Sequence, residues 1–159
     1  MIEVKELRKS FNGDVEVLKG ITTTFETGKV NLIIGQSGSG KTVFLKSLLN
    51  VYEPSSGGIL FDGRDIMNMS REEKQGLRAE IGTVFQGSAL FDSMTVEENI
   101  SFPLDMFTNL TYREKKRKVL EVIGRVNLDK ANKKFPSEIS GGMQKRVAIA
   151  RAIVNNQKY

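Results

Sequence analysis

The chain has 159 residues, 39% of them hydrophobic and 27% charged, which suits one compact core. It contains no Cys, so disulfides and thiolate metal sites are excluded, and no apolar run approaches the length that spans a bilayer. The net charge of +5 allows phosphate, anionic lipid or nucleic acid as partners, and the opening Met1-Ile2-Glu3-Val4-Lys5-Glu6 lacks the apolar stretch of a secretory signal.

In chain order, residues 2–25 read as antiparallel strands. Ile21, Thr23 and Phe25 alternate with Thr22 and Thr24, and Asn12-Gly13 signals a turn. Val30-Asn31-Leu32-Ile33-Ile34 is short, apolar and β-branched, which predicts a buried parallel strand. A glycine-rich loop follows, and then Phe44, Leu45, Leu48 and Leu49 fall at helical spacing. Pro54 to Gly58 reads as a loop, Ile59-Leu60-Phe61 as a strand, and Asp62-Gly63 as a turn. Ser70 and Glu73 stand at capping-box spacing. Ile81-Gly82-Thr83-Val84-Phe85 predicts another strand, ending at Gln86, and the pattern beyond is mostly helical to Asn156.

The basic run Arg113-Glu114-Lys115-Lys116-Arg117-Lys118 leads into Val119, Leu120, Val122, Ile123 and Val126 at helical spacing. It reads as the solvated start of an amphipathic helix, with contact to anionic lipid as the other reading. No aromatic residues interleave these charges, which argues against nucleic-acid binding.

The loop Gly35-Gln36-Ser37-Gly38-Ser39-Gly40-Lys41-Thr42 fits G-x-x-x-x-G-K-S/T. Glycine allows backbone angles that turn successive N–H groups inward around a phosphate, and the helix behind adds its dipole. Lys41 would reach the β- and γ-phosphates, and the Thr42 hydroxyl would bind Mg²⁺. GTPases and small-molecule kinases share such a loop. A GTPase would also carry Asn-Lys-x-Asp, and Asn132-Lys133-Lys134-Phe135 lacks the Asp. A kinase would need a substrate lid, and none is recognisable.

Ser140-Gly141-Gly142 precedes Met143-Gln144-Lys145-Arg146-Val147-Ala148-Ile149-Ala150-Arg151-Ala152. A hydroxyl and two glycine N–H groups at a helix start form a second anion site, although an N-capped helix after a turn reads the same way when taken alone.

Taken with the loop, Ile139-Ser140-Gly141-Gly142-Met143 resembles the LSGGQ signature of ABC transporter ATP-binding subunits. The order of Phe11, the phosphate loop, Gln86 and the signature is similar to that family along essentially the whole chain. The resemblance implies an α/β P-loop NTPase of ABC type. It would have a β-rich N-terminal part, a strand–loop–helix core and a helical subdomain, and would lack the C-terminal part of the core sheet. It divides the chain into an ATP-binding core over 1–86, a helical subdomain over 87–140, and a signature helix over 141–159.

The resemblance also implies ATP and Mg²⁺ as cofactors and assigns site residues. Phe11 would stack on adenine, and residues 35–42 would hold the phosphates. Gln86 would contact Mg²⁺ and the attacking water. Ser140, Gly141, Gly142 and Met143 would face the γ-phosphate held by Lys41 of a second copy, arranged head to tail. The surface near Phe91 to Phe102 would dock a coupling helix of an integral-membrane permease, with Phe91, Met94, Val96, Ile100 and Phe102 divided between that surface and ordinary core. The location implied is the cytoplasmic face of the inner membrane.

Met143 in place of Gln resembles the Mla-type branch, the ATPases of phospholipid trafficking. Leu60-Phe61-Asp62-Gly63, Met69-Ser70, Phe85 to Val96 and Pro136-Ser137-Glu138 resemble it too. A periplasmic lipid-binding subunit would then belong to the parent complex. General importer ATPases share much of this pattern. The family's Walker B Asp, its catalytic Glu and its switch His would follow the signature helix. The sequence contains no His and stops at Gln157-Lys158-Tyr159. It therefore reads as a fragment that binds ATP weakly without hydrolysing it, or as a natural non-catalytic nucleotide-binding or docking module.

Overall fold

The computed structural model describes residues 1–11 and 15–159 and divides into two compact units, Met1–Lys74 and Gln75–Tyr159. The Asn12-Gly13 turn signal lies outside the described residues.

In the first unit, β1 (Ile2–Phe11) and β2 (Val15–Phe25) pair antiparallel, with Ile2 opposite Phe25 and Phe11 opposite Val15. β3 (Ser56–Phe61) pairs antiparallel with the other edge of β1, and β4 (Arg64–Asp65) closes a short hairpin on β3. The sheet order is β2-β1-β3-β4. Val4, Leu7, Leu18, Ile59 and Phe61 are buried on it, as the alternation of a half-buried sheet requires. Helix α1 (Lys41–Leu48) buries Phe44, Ser47 and Leu48. α2 (Arg71–Ala79), in which the division between the units falls, begins at Ser70, whose hydroxyl accepts the Glu73 N–H while the Glu73 carboxylate accepts the Ser70 N–H at 2.7 Å.

In the second unit, α3 (Val96–Phe107), α4 (Tyr112–Arg125) and α5 (Gly141–Ile153) share one core. Val96, Ile100, Leu104, Val119, Val122, Ile123, Val147 and Ala150 fill it, at the spacing that places them on one face of each helix. Thr95 and Glu98 form a capping box at α3, and Thr111 and Glu114 form another at α4. Residues 113 to 118 do start an amphipathic helix, and Arg113, Lys116 and Arg117 are exposed.

Two predicted strands are not formed. Val30–Ile34 is irregular, and Val30, Leu32 and Ile34 are 101%, 82% and 80% exposed. A parallel strand is buried only when neighbours pair both of its edges and helices cover its faces. Among the described residues no strand pairs with this run. Ile81–Phe85 is also irregular, with Val84 and Phe85 exposed, so Gln86 follows an extended segment and not a strand. Its first residues do start a pairing. Gly82 donates to the Tyr159 carbonyl at 2.8 Å, and Lys158 and Tyr159 donate to the Glu80 carbonyl. Gly82 is required here, because a Cβ would meet the Ala152 carbonyl oxygen at 2.4 Å.

Candidate nucleotide-binding site

The phosphate loop lies in the first unit and delivers the chain into α1. Ser39 N–H bonds the Gln36 carbonyl, and Phe44 N–H bonds the Gly40 carbonyl at 2.8 Å, so a turn over 36–39 leads directly into the first turn of the helix. Gly40 is the N-cap, with φ 91° and no side-chain cap bond. Glycine is needed there, because a side chain would be strained at that φ and its Cβ would press on Val17 and Leu18 at 3.2–3.3 Å.

Lys41 Nζ donates to the Gly35 and Gln36 carbonyls at 2.7 and 2.6 Å. The ammonium is thereby held at the loop itself. Residues 35–39 and Thr42 are exposed, while Gly40 and Lys41 are half-buried. The first turn of α1 carries no acid. Unpaired N–H groups, a helix dipole and a fixed ammonium with no competing carboxylate make a site for a polyanion. The Thr42 hydroxyl stands at the same helix start and is a fitting oxygen ligand for Mg²⁺ beside a bound phosphate. Phe11 ends β1 in the same unit, half-buried.

In the second unit, Ser140 caps α5 and accepts the Met143 N–H at 3.3 Å. α5 has no acid in its first turn. Gly141 and Gly142 are exposed, and a Cβ at either would meet nothing closer than the Ser140 hydroxyl at 4.0 Å. Glycine in a helix costs about 1 kcal/mol against Ala. This chain's own packing gives no reason for either glycine.

Gln86 is exposed in a turn closed by Ser88 N–H on the Phe85 carbonyl at 3.0 Å. Ser88 and Ala89 sit at φ 61° and 46°, unfavourable for residues with a side chain. Arg151 of α5 holds them there, donating to the Ser88 and Ala89 carbonyls at 2.7 Å each, with its guanidinium 5.9 Å from the Phe91 ring centroid. Burial pushes the Arg151 pKa down from its ordinary value, yet the side chain stays charged. Asn99, fully buried, takes the Phe91 N–H and donates to the carbonyls of Phe91, Met94 and Thr95, shaping the next stretch of the same loop.

Of the apolar residues between 91 and 102, Val96 and Ile100 are core, while the Phe91 and Phe102 rings pack with centroids 4.7 Å apart and planes tilted by 52°, and line a groove of about 460 Å³. Pro103, Met106 and Phe107 extend its wall. Phe11 and residues 35–42 thus gather in one unit, and Gln86 and residues 140–143 in the other. Sequence reasoning missed Arg151 and Asn99. Nothing in their neighbours in sequence marks a side chain that serves a loop 62 or 8 residues away.

A glycine-rich loop feeding a helix, with a lysine aimed into it, defines a P-loop nucleotide-binding protein. Residues 18–159 match the family model described as ABC transporter, and the chain belongs to that family. It is 44% identical over 153 residues to the "probable ribonucleotide transport ATP-binding protein mkl" of Mycobacterium bovis, covering 96% of this chain and 42% of that protein. It is 40% identical over 156 residues to the "cell division ATP-binding protein FtsE" of Bacillus subtilis, covering 98% of this chain and 68% of that one. Among solved structures, a dimeric ATP-binding cassette in a post-hydrolysis state with ADP and Pi superposes with a TM-score of 0.88 at 30% identity, over 99% of this chain and 71% of that chain. The chain therefore spans about two-fifths of the length of the mycobacterial relative. The fold is the P-loop NTPase fold of ABC type.

Proposed function

We propose that this chain is the nucleotide-binding part of a transport ATPase and holds Mg-ATP on its phosphate loop. The observation that carries this is Lys41, fixed at the mouth of a loop whose helix starts without an acid. In this reading Phe11 stacks on adenine, Thr42 and Gln86 ligate Mg²⁺, and Gln86 orients the attacking water. Ser140, Gly141, Gly142 and Met143 meet the γ-phosphate bound by a second copy. Glycines with no reason in their own chain support that, because an approaching phosphate needs the bare backbone.

The division of labour we infer is an ATP-binding core over 1–86, a helical subdomain over 87–140 and a signature helix over 141–159. ATP binding draws two copies together, and the Phe91–Phe102 groove takes an apolar helix of a membrane permease. The site of action is the cytoplasmic face of the inner membrane. No described helix is long and apolar enough to cross a membrane, which agrees with a peripheral position. Turnover is proposed for the whole transport ATPase and not for these 159 residues alone.

For cargo we propose phospholipid, with a periplasmic lipid-binding subunit in the assembly, on the resemblance carried by Met143 and by Phe85 to Val96. Lipid bound to the purified parent complex supports this, and a small polar solute bound in its place contradicts it. For the nucleotide, titration with Mg-ATP gives saturable binding that Lys41→Ala removes. Phosphate release stays at the no-protein rate. Binding unchanged by Lys41→Ala, or robust turnover lost only in that variant, overturns the reading.

A further inference from the structure

Phe11 is not held by its own strand alone. Tyr52 meets it edge-on, with ring centroids 5.3 Å apart and planes at 82°. The Lys9 ammonium lies 4.9 Å from the Phe11 centroid. Tyr52 belongs to the segment that leads from α1 to β3, and that segment is tied at both ends. On the α1 side, Val51 and Tyr52 N–H both donate to the Lys46 carbonyl, at 2.8 and 3.2 Å. The Lys46 ammonium reaches the Tyr52 hydroxyl at 3.4 Å and lies 5.1 Å from its ring centroid. On the β1 side, Lys9 Nζ donates to the Glu53 carbonyl at 2.8 Å and Ser10 N–H to the Ser55 hydroxyl at 3.0 Å. Ser55 N–H returns a bond to the Arg8 carbonyl at 2.9 Å. Residues 51–55 are thus a strut between the C-terminal turn of the phosphate-loop helix and the end of the strand that bears Phe11.

We propose that Tyr52 is a positioning residue for the nucleobase: it fixes the Phe11 ring relative to the phosphate-loop helix. The inference rests on the base-stacking reading of Phe11 and deepens it. A nucleotide is gripped at two ends, by the loop at its phosphates and by the ring at its base. The second grip adds affinity only if the ring already stands where the base arrives. A ring free to change rotamer loses that freedom on stacking, and this opposes binding. An edge-to-face partner removes the freedom beforehand. Tyr52 lies beyond the C-terminal end of α1, away from the loop that takes the phosphates. Its contribution therefore shows only with ligands that carry a base.

The experiment titrates the chain with Mg-ATP and with magnesium tripolyphosphate, for the wild type and for Phe11→Ala, Tyr52→Ala and Tyr52→Phe. The expected result is that Phe11→Ala and Tyr52→Ala each weaken ATP binding about three- to tenfold, the scale of an aromatic contact. Tripolyphosphate binding stays unchanged in both, and Tyr52→Phe binds ATP as the wild type does. If Tyr52→Ala weakens both ligands alike, its role is general support of the unit and the inference is overturned. If Phe11→Ala weakens ATP and Tyr52→Ala does not, this inference alone falls. If Phe11→Ala leaves ATP binding unchanged, the base-stacking reading falls and takes this one with it.

Discussion

Helices α2, α3 and α4 close their N-termini with a full capping box, whereas α1 has no side-chain cap and α5 has only the Ser140 hydroxyl, without a glutamate. In the first group a glutamate at the third helical position folds back on the cap: Glu73 on Ser70, Glu98 on Thr95 and Glu114 on Thr111. These carboxylates satisfy the orphan N–H groups and neutralise the dipole. In α1 the corresponding position is Val43 and in α5 it is Met143, and neither first turn contains an acid. A terminus sealed by its own glutamate has no use for a phosphate. One without that glutamate, in a glycine-rich setting, has. The difference marks the two proposed anion sites more sharply than the glycines do, since Gly76 and Gly124 lie within α2 and α4, whose starts are closed by glutamates.

The strongest way to break the comparison is to give α1 the missing acid. Val43→Glu is expected to weaken Mg-ATP binding at least thirtyfold, roughly the cost of one unit charge a few ångströms from a triphosphate near a protein surface. Val43→Gln, of the same size and neutral, keeps most of the affinity in the same titration. The matching pair in α5, Met143→Glu against Met143→Gln, leaves ATP binding intact. The glutamate variant alone loses ATP-dependent pairing of two copies, read by light scattering.

Next in size is the loop after Gln86. Arg151→Met removes two charge-assisted bonds and is expected to lower stability by about 2 kcal/mol in urea denaturation. It also speeds amide exchange over 86–91, where Ser88 and Ala89 lose what holds their positive φ.

A cap deletion is smaller. Thr95→Ala or Thr111→Ala is expected to cost about 1 kcal/mol each, without changing nucleotide affinity.

The smallest effect is the pH dependence of the boxes. Hydrogen bonds from the Thr95 N–H and hydroxyl hold the Glu98 carboxyl below its ordinary pKa, and those from the Thr111 hydroxyl and N–H do the same for Glu114. A carboxyl whose pKa is depressed on folding stabilises the fold above its unfolded pKa. That stability is lost as pH falls through the folded value. Glu98→Gln should therefore lower stability slightly near neutral pH, converge on the wild type in acid and flatten the profile between, as thermal melts at stepped pH would show.

The sequence makes the capping side of this contrast readable, because S/T-x-x-E occurs at Ser70, Thr95 and Thr111 alike. Its local signals also reveal the antiparallel strands β1 and β2, the start of α1 and the two glycine-rich helix starts. What stays hidden is set by distant partners. Val30–Ile34 has the composition of a buried strand, but composition cannot supply the neighbours that turn such a run into a strand. Ile81–Phe85 fails for the same reason, apart from Glu80 to Gly82, which find Lys158 and Tyr159. Arg151 looks like part of a basic helix face, and only the fold shows it turned inward onto the Ser88 and Ala89 carbonyls. Tyr52 reads as an isolated aromatic before a Pro-Ser-Ser-Gly loop. Its link to Phe11 depends on a strut held by backbone bonds and by the Lys9, Lys46 and Ser55 side chains, a set that no local pattern encodes.

Amide hydrogen exchange with and without Mg-ATP compares the two kinds of helix start within one molecule. The account predicts that ATP slows exchange across Gly38 to Phe44 and leaves Val96 to Glu98 and Tyr112 to Glu114 unchanged. Protection spread equally over all these termini, or none at the phosphate loop, would contradict it.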